Sequence, residues 1–256
     1  MRLVIVIVSR RLVRAMVALM ILTALLPGAF TGLATVVNGR LLRLRVDVVI
    51  DPGHGGVDPG ANDHDTLEKD ITLAISLKMR DMLVRYGMSV GLTRDSDTDC
   101  SGWAQLRTGR HQADLNARAR TMNLGRVAIS VHVNTSTDPN QRGAMVLYAS
   151  GSDQGLRLAG AVLSQLSQVT ELNHKSPVPR TNLLVLTATD VPAVLVEIGF
   201  LSNPTDKNNM KDPAFQERLA STIARAVIDY LSAPAERETG PVQASGLRDR
   251  PPALSV

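Results

Sequence analysis

Short, nearly continuous apolar runs recur along this chain, at Val46–Ile50, Val127–Val133 (VAISVHV) and Ala193–Ile198 (AVLVEI), with segments of helical period between them. This alternation constrains the fold more than any other feature. A strand that is apolar on both faces needs cover on both, and a helix between two such strands supplies the crossover that joins parallel neighbours. The intervening pattern fits. Ile71, Ile75, Met79, Met82, Leu83 and Tyr86 recur at helical spacing in a segment opening near Glu68 and closing at Gly87, and Leu158, Val162, Leu166 and Val169 mark a second helix face. Leu115–Asn123 reads as a helix, as does the stretch carrying Phe215, Leu219, Ile223, Val227 and Tyr230. Met88–Thr93 and Gly143–Ala149 read as further strands, and Asp95–His111 as a polar loop. The expected fold is a single α/β domain over residues 46–232, with a mostly parallel twisted sheet covered by helices on both faces.

The ends of the chain read differently. Residues 1–45 hold seven arginines and no acidic residue, and Ala15–Asn38 carries no formal charge. Arginines ahead of such an apolar stretch mark a signal or anchor segment, so export is expected, with the chain secreted or held at the membrane by this segment. Pro27 and Gly32-Leu-Ala34 suit cleavage, while the length suits an uncleaved span. The residues after Ala233 contain four prolines and no periodicity, and read as a disordered tail over 233–256.

Composition narrows the function. Setting the seven N-terminal arginines aside leaves 21 basic side chains of the total 28, against 24 acidic ones. The rest of the chain is therefore slightly acidic, and aromatic residues make up only 3%. Neither a basic face nor stacking platforms for nucleic acid are implied. The one cysteine, Cys100, excludes an intramolecular disulfide framework, and its acidic, polar neighbourhood argues for an inert thiol.

In open α/β sheets ligands gather outside the carboxyl ends of the strands. His54 follows the first strand in VVIDPGHGG, His132 lies near the end of VAISVHVN, and Glu197 sits late in AVLVEIGF. Glu68 opens the helix after the first loop. Two imidazoles and a carboxylate form a common catalytic zinc set, leaving a fourth position for water and requiring a base nearby. Each residue also has a plainer role available. His54 could serve a tight turn, Glu68 could complement the helix dipole, and Glu197 could pair with Arg94. His64, His111 and His174 lie in polar, loop-like contexts. The glycines at 53, 55, 56 and 60 match neither established phosphate-loop spacing.

The motif series DPGHGGVDPGA (51–61), Glu68-Lys69 at a helix start, LTRDSD (92–97), SVHVN (130–134) and PAVLVEIGFLSNP (192–204) resembles that of zinc-dependent N-acetylmuramoyl-L-alanine amidases of the Amidase_3 type. The resemblance implies an enzyme that cuts the amide between muramic acid and the first L-alanine of the peptidoglycan stem peptide. It also implies Zn2+ as cofactor, His54, Glu68 and His132 as metal ligands, and Glu197 as the catalytic carboxylate. The loop at Asp95–Arg118 and the Asn182–Leu186 segment are similar to those of spore-cortex amidases of the CwlD type. That likeness implies action on cortex peptidoglycan to prepare muramic-δ-lactam for germination, an activating partner protein, and a location outside the cytoplasmic membrane that includes the forespore intermembrane space. The loop NDHDTLEKD lacks a glycine common there, and Val133 replaces a more usual alanine or leucine. The competing functions are a non-catalytic peptidoglycan-binding regulator and a zinc peptidase acting on the stem peptide.

Overall fold

The computed structural model describes residues 35–37, 40–42, 45–102 and 109–233. Two short strands, β1 (Thr35–Val37) and β2 (Arg40–Leu42), pair antiparallel. They fall at the end of the expected anchor, the rest of which lies outside the described residues, as does the expected tail beyond Ala233. Among the described residues no helix is long and apolar enough to cross a membrane.

The elements then follow in order as β3 (Val46–Pro52), a small antiparallel pair β4 (Asn62–Asp63) and β5 (Thr66–Leu67), α1 (Glu68–Arg85), β6 (Val90–Leu92), α2 (Arg110–Met122), β7 (Gly125–Asn134), β8 (Met145–Ala149), α3 (Asp153–Leu166), β9 (Val178–Arg180), α4 (Leu184–Thr187), β10 (Ala193–Phe200), α5 (Pro204–Lys211) and α6 (Pro213–Ser232). Six strands form one sheet in the order β6-β3-β7-β10-β8-β9. The first four run parallel, whereas β8 meets β10 antiparallel and β9 runs parallel to β8. The single α/β domain and mostly parallel sheet are as expected, with β8 and β9 reversed.

Alternation along the strands sorts side chains to two cores. Val48, Ile50, Val127, Ile129, Val131, Val146, Val194 and Val196 pack with α1, α3 and α6 on one face. Val49, Ala128, Leu147 and Leu195 pack with Met122 of α2 and Val185 and Leu186 of α4 on the other. Ile50, Ile75, Met79, Ile129 and Leu158 are wholly buried, and each such side chain contributes about 1.5–3 kcal/mol of hydrophobic stabilisation. Helix starts are set by chemistry the chain carries locally. Ser152, Asn203 and Asp212 cap α3, α5 and α6 by accepting backbone N–H bonds, and Pro204 and Pro213 occupy first-turn positions where no N–H is needed. Helix α1 closes at Gly87, whose φ of 83° allows Met88 N to donate to Leu83 O.

Some expectations differ in detail. Helix α2 begins at Arg110 rather than Leu115, because its first turn is polar and shows no apolar period. Strand β9 and helices α4 and α5 were not expected. They are short, and the buried residues of α5 are Asp206 and Met210 rather than an apolar stripe.

Candidate metal centre

Strand β3 delivers the chain to the carboxyl edge of the sheet and stops at Pro52, which has no N–H to donate. Gly53 N still donates to Val131 O (2.9 Å), so the turn stays tied to β7 as it leaves the ladder. His54 follows with φ 60°, a left-handed conformation that costs about 1–3 kcal/mol in a non-glycine residue unless its surroundings hold it. They do. Arg118, buried on α2, donates to His54 O, to Pro52 O (2.7 Å) and to the Asp51 carboxylate (2.8 Å), and pairs with Asp114 (2.6 Å). Arg94 donates to the carbonyls of Pro52 (3.0 Å) and Gly53 (2.9 Å), and Thr72 Oγ1 also donates to Gly53 O. Fully buried Asp51 accepts further bonds from Ser130 and Thr93 hydroxyls, each 2.6 Å. Burial alone raises its pKa, but the Arg118 cation and these hydroxyls outweigh that and hold the carboxylate below its usual range.

The turn brings His54 to Glu68. Glu68 Oε1 lies 3.2 Å from His54 Nε2 and 3.0 Å from His132 Nδ1, and accepts from Val133 N (2.8 Å), while Oε2 accepts from Ala61 N (2.7 Å). At 2% exposure Glu68 is a buried carboxylate, and no mere dipole complement at a helix start. Burial opposes its charge, yet the two imidazoles keep its pKa well below the usual carboxylate range. His54 Nδ1 in turn faces Asp58 Oδ2 at 3.1 Å. Burial disfavours the imidazolium, but the carboxylates of Glu68 and Asp58 push the His54 pKa up to about 9. The two rings meet edge to face, with centroids 5.0 Å apart.

The ligand-type atoms of His54, Glu68 and His132 lie within 4.8 Å of one another, and theirs is the metal-type cluster found among the described residues. A mixed imidazole and carboxylate donor set of this size fits a divalent cation such as Zn2+. Space around it is reserved by glycine. A Cβ on Gly53 would meet the His132 ring at 2.5 Å, and one on Gly60 would meet Glu68 Oε2 at 2.5 Å and His54 Cδ2 at 2.6 Å.

Glu197 completes the group. In the β7–β10 register it stands opposite His132, and the ladder slips between Glu197 and Phe200. Its Oε2 is shielded from solvent and has no hydrogen-bond partner among the described residues. Burial pushes the carboxyl up to about 7, opposed by His132 and reinforced by the Glu68 charge. It does not pair with Arg94, because Arg94 follows β6, three strands away at the sheet edge, and is engaged by backbone carbonyls. All four expected residues thus converge on one edge. His64, His111 and His174 are exposed and stay apart. The residues that sequence reasoning missed are those that hold the site: Asp58, Asp51, Asp114 and Arg118. A signal for Asp58 was present, since Asp-Pro-Gly occurs at 51–53 and again at 58–60 around His54.

Three groups of metal-ligand type and a spare carboxylate at the carboxyl edge of a parallel sheet fit the class of metal-dependent hydrolases. Within that class the chain belongs to the Amidase_3 family of N-acetylmuramoyl-L-alanine amidases, whose model matches residues 48–229. It is 30% identical over 188 residues to the germination-specific N-acetylmuramoyl-L-alanine amidase of Bacillus subtilis (strain 168), covering 72% of this chain and 79% of that one. With the amidase AmiC of Neisseria meningitidis serogroup B it shares 29% identity over 241 residues, 76% of this chain but only 54% of that longer protein. Among solved structures, the CwlD amidase from Clostridioides difficile in complex with the GerS lipoprotein superposes with a TM-score of 0.68 at 31% identity, over 73% of this chain and 99% of that one. The chain is an N-acetylmuramoyl-L-alanine amidase acting on peptidoglycan.

Proposed function

We propose that this amidase works with Zn2+ held by His54, Glu68 and His132, that Glu197 is its catalytic carboxylate, and that it acts on spore-cortex peptidoglycan. The observation that carries the site assignment is the shielded, unpartnered Oε2 of Glu197 beside the imidazole and carboxylate cluster. Such a carboxylate is costly to keep unless it has a task. When bound, the cation supplies Lewis acidity, polarising the scissile carbonyl and making water a better nucleophile near neutral pH. Glu197 takes the proton of the attacking water and returns it to the departing L-alanine nitrogen. A carboxyl poised near 7 by burial can do both. Asp58 holds Nδ1 of His54 and so presents Nε2 to the centre, while the backbone N–H groups of Ala61 and Val133 fix both oxygens of Glu68. No covalent nucleophile is required. Burial pushes the Cys100 thiol up to about 11, which leaves it unsuited to that role.

The cortex assignment is supported by likeness to the germination-specific enzyme and to CwlD. On this reading the reaction here prepares muramic-δ-lactam. A structure of CwlD bound to a lipoprotein supports an activating partner here too, and the arginine-led apolar segment at the N-terminus supports action outside the cytoplasmic membrane with that segment as anchor.

Metal analysis combined with mass spectrometry of digested vegetative and cortex peptidoglycan tests the proposal. The expected result is stoichiometric zinc and release of peptides beginning with L-alanine, lost with chelator and restored by Zn2+. Cuts within the stem peptide would identify a peptidase, and wall binding without zinc or cleavage a regulator.

A further inference from the structure

Beyond Glu197, along the same edge of the sheet, lies a polar cavity of about 450 Å3. Its walls are Asn140, Gln141 and Arg142 from the β7–β8 connection, Glu171 and Asn173 ahead of β9, and Asn203 at the head of α5. Its place relative to the proposed proton-transfer group follows from the sheet. Met145 stands opposite Glu197 on β8. The preceding Ala144 donates to Glu171 O and accepts from Asn173 N, each at 2.8 Å. With strands spaced about 4.8 Å apart, the cavity wall is about 10 Å from Glu197, the reach of about three extended residues.

The walls are fixed from within. Asn173 Nδ2 donates to Gln141 Oε1 (3.1 Å) and Arg142 O (3.0 Å), and Asn203 Nδ2 to Pro139 O (2.7 Å). Asp206 Oδ2 ties Gly143 N to Phe200 N, at 2.8 and 2.9 Å, and so joins the β7–β8 connection to the end of β10. Amide side chains carry more donor and acceptor capacity than these bonds consume, which suits a peptide backbone better than an apolar ligand. At the mouth, Arg142 Nη2 meets Glu171 Oε2 at 2.9 Å, with the two side chains 49% and 58% exposed. An ion pair so exposed is weak and easily exchanged.

We propose that this cavity is the subsite for the stem peptide and that Arg142 exchanges Glu171 for the carboxylate carried by the residue after L-alanine. The proposal rests on the amidase mechanism above. Direction follows from that chemistry. The His54–Glu68–His132 cluster lies on the β3–β7 side of Glu197 and the cavity on the β8–β9 side. The leaving L-alanine nitrogen must reach Glu197 for its proton, so the peptide departs across β10 towards β8. An arginine offers a carboxylate two parallel bonds that a neutral amide cannot match.

The test is steady-state kinetics of the zinc-loaded enzyme on synthetic muramoyl peptides that differ only in whether the acidic residue after L-alanine carries a free carboxylate or its amide. For the wild type, KM is expected to be lower on the carboxylate form. Arg142→Ala should raise that KM about tenfold with kcat within twofold, and should leave KM on the amidated form within twofold. Glu171→Gln, which removes the competing carboxylate, should lower KM on the carboxylate form. Equal KM shifts on both substrates, no shift, or a raised KM in Glu171→Gln would overturn the subsite while leaving the amidase mechanism intact. A zinc-loaded wild type that cleaves neither substrate would overturn that mechanism and the subsite together.

Discussion

Glu197 of β10 and His132 of β7 occupy the same register position on adjacent parallel strands, so the carboxylate and the imidazole share one face at one edge of the sheet. This pairing places a proton acceptor beside a metal-type ligand without any loop having to fold over it. Replacing Glu197 by Gln preserves shape and removes basicity. Zinc content should stay at wild-type stoichiometry while turnover falls by about 10²–10⁴-fold. Metal analysis beside muropeptide release measures both, and near-normal turnover would remove Glu197 from its proposed role.

Asp58 meets the metal-type cluster through His54 Nδ1, and its other carboxylate oxygen accepts from Gly60 N (3.2 Å). Partners of this kind orient a ligand, and losing one typically weakens metal affinity by about 10–100-fold. Asp58→Asn should do so with little change in melting temperature. Competition with a chromogenic chelator reads the affinity, and an unchanged value would show that the His54 ring is fixed by its backbone alone.

Gly60 has φ 67°, and a Cβ there would collide with both Glu68 and His54. Gly60→Ala is therefore expected to cost about 1–3 kcal/mol of stability and to lower metal affinity as well. Gly151 also has positive φ, at 85°, but a Cβ there meets nothing within 4 Å, so Gly151→Ala should incur backbone strain alone. Chemical denaturation of the two variants separates strain from collision. Equal losses of stability and of metal affinity would contradict it.

The Asp51–Arg118 pair is buried, and removing one member of such a pair typically costs about 3–5 kcal/mol. Arg118→Met should approach that figure. The pH dependence has a definite sign. The folded-state pKa of Asp51 lies below its unfolded value, so its contribution is present above about pH 4 and is lost as the solution is acidified through the lower folded value. Urea titrations between pH 6 and 2 should show a shallower decline for Asp51→Asn than for the wild type, and identical slopes would contradict the assignment.

Cys100 gives a prediction of the opposite sense. Its thiol is raised to about 11 by burial, so alkylation by iodoacetamide should stay slow at pH 7–9 and accelerate only as the pH nears the folded value. The stability linked to it is present below the ordinary thiol value of 9.0 and is lost as pH rises through about 11. Rapid labelling at pH 8 would show the thiol to be exposed.

The proposed ligands were legible in the sequence because each stands at the end of a strand or the start of a helix, where apolar periodicity breaks against a polar residue. The supporting shell was not, because its contacts span long separations. Arg118 reaches Asp51 and the carbonyl oxygens of Pro52 and His54 across more than sixty residues, and no local pattern encodes that. The same limit explains why pairing of Glu197 with Arg94 stood as an alternative in the sequence. Charge sign suggested a partnership, but the strand order put two strands, β3 and β7, between them. Strand direction was equally hidden, since the β8 run reads the same whichever way it lies. Strand β9 has only three residues, one of them Pro179, and its signal is weak for that reason.

The reversal of β8 against β10 has an evolutionary consequence. A strictly parallel sheet would send the start of β8 to the far edge, but here the β7–β8 and α3–β9 connections both arrive beside Glu197. These two loops can lengthen, shorten or change charge without moving a residue of the His54–Glu68–His132 cluster. Substrate preference can thus drift from one wall chemistry to another while the hydrolytic apparatus is inherited unchanged.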